Sequence, residues 1–192
     1  MISYNLRGIK IYVSFAFMVF ITLLSIFDKT GLLIISFFAI LFHELGHLFI
    51  IKSLGIKNLE LMFILGSVKV VVKDILPQNK MALIALGGPL MNIILTVFLL
   101  FNNYYLVYFG ACNIIVFLFN MLPIKQLDGG DILKYLLNLL FKNYSEKAFN
   151  LLSLIFTLLF TAFCGTFFII KYYNPTLLIV GIYLIIMSIK KV

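Results

Sequence analysis

The two histidines of this 192-residue chain stand four residues apart, in the run His43-Glu44-Leu45-Gly46-His47. Were this run helical, residues i and i+4 would share one face about one turn apart. Two imidazole nitrogens could then reach one metal ion, and HExxH is a zinc-binding signature for that reason. Glu44 is offset by one residue, so it can reach a water beside the metal without being a ligand. Zinc lowers the pKa of such a water towards ~7, and a carboxylate can take its proton. Two histidines placed at random would fall four apart only about one time in a hundred, and a glutamate at the inner position lowers the odds further. The motif also lies inside an apolar run, where ionisable groups are costly and are retained for a task.

A catalytic zinc site has three protein ligands and one open position. With no third histidine, the third ligand is expected among Asp28, Glu60, Asp74, Asp128, Asp131, Glu146, Cys112 and Cys164. Asp128 stands out because Leu127-Asp128-Gly129-Gly130 directly follows an apolar run. His43 lies deep in its own run, so the 123–130 segment would have to dip into the membrane to reach it. Irregular backbone at that depth is tolerated only where protein or water surrounds it, and paired glycines permit a close approach. Three competing readings use the same residues. One is a buried polar cluster that only packs helices. A second is a proton relay in an ion-coupled transporter, and a third is a catalytically inactive regulator on the same fold.

The elements that must hold these residues are membrane helices. Hydrophobic residues make up 64% of the chain and charged residues 11%, against about 25% charged in soluble domains. So few charges cannot cover a water-facing surface, and the surrounding medium is expected to be mostly lipid. Crossing the hydrocarbon takes roughly 20 apolar residues. Six candidate spans follow, at 11–27, 31–54, 79–101, 104–122, 148–170 and 174–189. The expected fold is an all-α polytopic membrane protein of one domain, 1–192. The run at 11–27 follows Arg7 and Lys10 as a signal peptide would, but no small-x-small cleavage site comes after it, so it is expected to stay as the first span.

With six spans, both termini share a side with the 55–80 and 123–147 connections. Thirteen of the 15 lysines and arginines fall there, leaving Lys29 and Lys171 opposite. That bias puts both termini in the cytoplasm. The net charge of +8 sits between apolar runs, so it is assigned to topology and anionic lipid headgroups and not to nucleic acid. Residues 56–64 and 67–73, split by Leu65-Gly66, are expected to form a small β-hairpin beside the membrane. Its exposed edge could hold a substrate by strand addition. Residues 129–141 are expected to form a short amphipathic helix. Cys112 and Cys164 lie in apolar runs and are expected as small buried residues without a disulfide.

Three segments together resemble the site-2 protease family of intramembrane zinc metalloproteases. They are His43-Glu44-Leu45-Gly46-His47, then Gly87-Gly88-Pro89-Leu90-Met91-Asn92, then Asn120-x-x-Pro123-x-x-x-Leu127-Asp128-Gly129-Gly130. The likeness covers roughly residues 35–132, and the chain looks most similar to the bacterial stage IV sporulation protein FB group. The resemblance implies that His43, His47 and Asp128 bind Zn2+ and that Glu44 is the general base. It implies that Asn120 contacts substrate or intermediate near the metal, and that Asn92 follows a Gly-Pro motif where helices pack closely. For either asparagine the plain alternative is an interhelical hydrogen bond. It further implies a membrane-associated protein substrate, such as a sigma-factor precursor, membrane-bound inhibitory or regulatory partners, and residence in the bacterial cytoplasmic membrane. The CBS domain common in that group and the PDZ domain of many other members have no counterpart within residues 1–192, so the resemblance carries no expectation of nucleotide-linked regulation.

Overall fold

A computed structural model describes residues 2–6, 9–64, 67–141, 146–170 and 176–189. The chain forms two compact units, residues 1–119 and 120–192.

In the first unit, strands β1 (Ile2–Leu6) and β2 (Ile9–Val13) precede helices α1 (Phe15–Phe27) and α2 (Leu32–Ser53). Strands β3 (Leu59–Ile64) and β4 (Ser67–Val72) follow, then helix α3 (Gln78–Leu95), a 3-10 turn at Thr96–Leu100, and helix α4 (Tyr104–Asn120), whose last residue opens the second unit. The strands make one sheet in the order β1-β2-β3-β4, antiparallel except for the β2–β3 pair, which is parallel. Two consecutive helices, α1 and α2, supply the crossover that a parallel pair requires.

The expected hairpin is therefore half of a four-stranded sheet. Its turn, Leu65-Gly66, lies outside the described residues. The first apolar run was expected to be helical from residue 11, yet residues 9–13 are a strand and the helix starts at Phe15. Ile9-Lys10-Ile11-Tyr12-Val13 alternates with the strand period of two, a signal that mean hydropathy averages away. The alternation sorts the sheet's two faces. Leu59, Leu61 and Val68 are buried, and the Phe63 ring packs tilted against Phe17 of α1, with centroids 5.2 Å apart. The opposite face carries Lys10, Tyr12, Glu60 and Lys69 in register. There Glu60 sits only 5% exposed, 2.7 Å from the Lys73 ammonium and 3.2 Å from the Tyr12 hydroxyl, which donates to it.

Helix α2 has definite ends. Asp28 accepts the backbone N–H of Ile34 and the Thr30 hydroxyl, both at 3.0 Å, ahead of its first turn. Gly55 follows its last turn with φ 72°, the left-handed conformation that terminates helices at low cost in glycine. The buried stripe of α2 is Ala39, His43, Gly46, His47 and Ile51. It packs on the α3 stripe of Ala82, Ala85, Gly87, Gly88, Pro89 and Asn92. At the crossing a Cβ on Gly87 would stand 2.6 Å from the Gly46 carbonyl oxygen, and one on Gly46 would collide with the Gly87 carbonyl. Small residues allow this backbone contact, as they do between membrane helices.

The second unit holds α5 (Asp128–Leu140), α6 (Glu146–Ile170) and α7 (Thr176–Ile189). Helix α5 is the amphipathic helix expected at 129–141, and Asp128 is its first residue. Thr161 of α6 donates to the Gly181 carbonyl of α7 at 3.2 Å. Both cysteines are free thiols, Cys164 buried and Cys112 partly so.

The chain is thus mostly helical with a small sheet. Among the described residues, Leu32–Ser53, Gln78–Leu100 and Glu146–Thr166 are long and apolar enough to cross a membrane, and α1 and α4 are shorter apolar helices. Large apolar side chains such as Leu33, Phe49, Ile94 and Leu159 are exposed on these helices, as lipid-facing residues would be. Asn174-Pro175 and five of the counted cations (Arg7, Lys142, Lys171, Lys190 and Lys191) lie outside the described residues.

The Lys73 hydrogen bond and charge hold the Glu60 carboxyl below the usual carboxylate range, against the opposing pull of burial. A depressed folded-state pKa means this contribution is complete above the unfolded carboxylate's pKa and lost as pH falls through the folded value. Hydrogen-exchange protection of the β2–β4 amides should therefore drop on acidification, while Glu60→Gln should start lower and respond less to acid. An identical acid response in both proteins would contradict the assignment.

Candidate metal centre

The α2–α3 crossing determines how the two histidines point. His43 is 4% exposed and His47 8%, with ring planes 86° apart. Their Nε2 atoms stand 3.1 Å from each other. Each Nδ1 is engaged on its far side. His43 Nδ1 lies 2.6 Å from Asn92 Oδ1, and His47 Nδ1 lies 2.7 Å from the Ile84 carbonyl oxygen.

These partners assign the tautomers. A carbonyl oxygen only accepts, so His47 Nδ1 carries the proton. The Gly88 N–H at 3.3 Å is the longer contact and does not compete. The Asn92 amide orientation follows from its other end. Asn92 Nδ2 lies 3.2 Å from the Ala39 carbonyl oxygen and 2.7 Å from Asn113 Oδ1, and Asn113 Nδ2 donates to the Phe109 carbonyl at 2.8 Å. Backbone carbonyls at both ends thus place Asn92 Oδ1 opposite His43, whose Nδ1 must donate. As neutral rings, both histidines are left with an unprotonated Nε2, each aimed at the other.

Two lone pairs at this separation repel unless a cation lies between them. Donors about 2.0–2.1 Å from one tetrahedral zinc ion are about 3.3 Å apart, within a few tenths of an ångström of the separation found. The donor pair therefore fits such an ion. Gly88 completes the pocket wall: a Cβ there would fall on His47 Nε2 and stand 2.7 Å from His43 Nε2. Glu44 follows His43 on α2 and is half-buried.

The second unit presents Asp128 at the start of α5, half-buried and with Asp131 in the same first turn, where a helix N-terminus favours negative charge. Asp128 was expected in an irregular segment; the irregular part is 121–127, and the helix begins at the aspartate itself. Gly129 and Gly130 lock that turn onto this segment, since a Cβ on either would collide with the carbonyls of Met121 and Leu122 or of Ile124. Lys125 N–H donates to Ser153 of α6 at 2.8 Å, which ties the segment down further. Asn120 is the last residue of α4 and is half-buried.

Most other candidates for the third ligand have different employment. Asp28 caps α2, Glu60 pairs with Lys73, and Glu146 pairs with Lys134 at 3.3 Å. Asp74 accepts from Asn58 at 2.8 Å, and Cys112 lies 3.5 Å from the Ser36 hydroxyl. Among the described residues, His43, His47 and Asp128 make a group that could hold a metal ion. Sequence reasoning placed Asn92 near the site without a definite role and missed Asn113 altogether. The available signal was a buried asparagine inside an apolar run, which is costly without a partner.

Residues 101–163 match the family model of peptidase family M50. A zinc metalloprotease of Methanocaldococcus jannaschii is 30% identical over 152 residues, which cover 70% of this chain and 44% of that protein. The chain thus spans less than half the length of that relative. The solved site-2 protease from Methanocaldococcus jannaschii shares the fold, with a TM-score of 0.67 at 22% identity, over 100% of this chain and 97% of that one.

Two substitutions test the centre. Gly88→Ala should abolish stoichiometric metal binding. Asn92→Leu should weaken it about 10–100-fold, the usual cost of losing a partner behind a ligating histidine. Chelator competition on the purified chain measures both, and unchanged affinity in either variant would contradict this geometry.

Proposed function

We propose that this chain belongs to peptidase family M50 and is an intramembrane zinc metalloprotease that hydrolyses a peptide bond of a membrane-associated or transmembrane protein. The observation that carries the reading is the 3.1 Å separation of the His43 and His47 Nε2 atoms, a spacing suited to two ligands of one zinc ion. His43 and His47 supply two ligands and Asp128 the third. Two imidazoles and one carboxylate, with one position left open, are a known ligand set of catalytic zinc sites. Bound there, zinc would supply Lewis acidity and lower the pKa of water.

The chain's own residues supply the rest. Glu44 is close to the ligands in sequence and half-buried; it takes the proton of the attacking water and returns it to the leaving amine. Asn120 donates its amide to the oxygen that gains charge, a contribution of oxyanion-hole type. The apolar helices limit access of bulk water. Strands β1 and β4 are the edges of the sheet, and an extended substrate added to β4 would be held by main-chain hydrogen bonds.

The protein is an integral membrane protein. Six spans with both termini in the cytoplasm, and cleavage near the cytoplasmic face, are the topology that the lysine and arginine bias supports. Release of a sigma factor is the outcome that the likeness to the sporulation group suggests.

Glu44→Gln should retain about one zinc per chain and lose about 10²–10⁴-fold in cleavage of a co-reconstituted substrate, the usual contribution of a general base. Cleavage at the wild-type rate by Glu44→Gln would overturn the proposal. So would pH-driven ion flux in liposomes without proteolysis, which would instead identify a transporter.

A further inference from the structure

We infer that Asn113 is a positioning residue of the metal centre, acting through Asn92 to hold His43 in its metal-binding tautomer. The inference rests on the zinc reading above for its consequence, but not for its geometry.

Asn113 is fully buried in α4, as Asn92 is in α3. The Asn92 amide joins three helices. Its oxygen accepts from His43 Nδ1 of α2, and its nitrogen donates to the Ala39 carbonyl of α2 and to Asn113 Oδ1 of α4. Ala39 lies one turn before His43, so Asn92 holds both the ring and the backbone that carries it. An amide has two N–H donors, and both are used.

The alternative state is an Asn92 amide rotated by half a turn. That rotation sets Asn92 Oδ1 against two acceptors, the Ala39 carbonyl and Asn113 Oδ1. It also turns the NH2 group towards His43 Nδ1, which would then have to accept. The imidazole proton would move to Nε2, the atom needed by the metal. Asn113 supplies one of the two repulsive contacts that exclude this state. Its own amide is oriented by the Phe109 carbonyl, so it cannot rotate to relieve the clash without losing that bond. A side chain that merely packed α4 against α3 would have no effect on which His43 nitrogen carries the proton.

The chain's two histidines make the test direct. Nitrogen-15 spectra of the histidine-labelled, metal-stripped full chain in bilayers report the protonated ring nitrogen. The wild type should show Nδ1–H at both rings. Asn113→Leu, close in volume, should give His43 a clear Nε2–H population and weaken zinc binding about 10-fold by chelator competition, at the low end for residues behind a ligand. Asn113→Asp, which keeps an acceptor for Asn92, should restore Nδ1–H and most of the affinity. The double variant Asn92→Leu/Asn113→Leu should bind zinc no more weakly than Asn92→Leu alone, because a residue acting through another has no independent effect.

Unchanged tautomers in Asn113→Leu, equal losses in the Leu and Asp variants, or additive losses in the double variant would each overturn the inference. Failure of the wild type to bind zinc while the tautomer still shifts would leave the positioning role standing and remove the protease reading instead.

Discussion

The Nε2 atoms of His43 and His47 stand 3.1 Å apart in a buried helix crossing, and the contacts around that crossing keep them there. His43 and His47 cannot turn away, because each Nδ1 is tied down behind, one to Asn92 and one to the Ile84 carbonyl. To share a proton between the Nε2 atoms, one ring must either give up its Nδ1 bond, leaving a buried amide or carbonyl unpaired at a cost of about 1–3 kcal/mol, or become an imidazolium, a charge that burial disfavours. A cation resolves the conflict at no cost to the network. The polar interactions of the unit therefore favour the metal-bound state before any substrate is considered.

The backbone arrangement behind that pair is a matter of missing side chains. Gly46 and Gly87 let α2 and α3 meet backbone to backbone, and Gly88 leaves the space that the two rings fill. A methyl group at any of the three would meet a carbonyl or a ring nitrogen. The second unit uses the same device at Gly129 and Gly130, where the first turn of α5 lies on the 121–125 backbone. In both units the candidate metal ligands sit beside glycines, because close backbone contact removes the slack that would let a ligand wander. The sheet works differently. Its apolar face lies on the helices, and its polar face is held by the Glu60–Lys73 pair.

Much of this could be read from residues alone, for identifiable reasons. The His43–His47 spacing carries the period of a helix, and the structure sets both on one buried stripe. The amphipathic period of α5 and the β-branched runs of β3 and β4 were equally legible. The N-terminal strands were not, because a strand and a membrane helix are both apolar on average and only the alternation in 9–13 distinguishes them. The start of α5 at Asp128 was hidden by two glycines that usually signal irregular backbone, but here serve a tight contact inside a helix. The Asn113–Asn92–His43 chain was the least visible. It depends on which faces of three helices meet, and no local pattern encodes that.

The most direct measurement of the central claim is zinc K-edge X-ray absorption on the purified chain in bilayers. The account predicts stoichiometric zinc with two imidazole nitrogens at about 2.0–2.1 Å and oxygen donors at about 2.0–2.2 Å, without sulfur. It also predicts loss of one imidazole contribution in His47→Ala. A zinc–sulfur distance of about 2.3 Å, or a protein that carries no stoichiometric zinc, would contradict it.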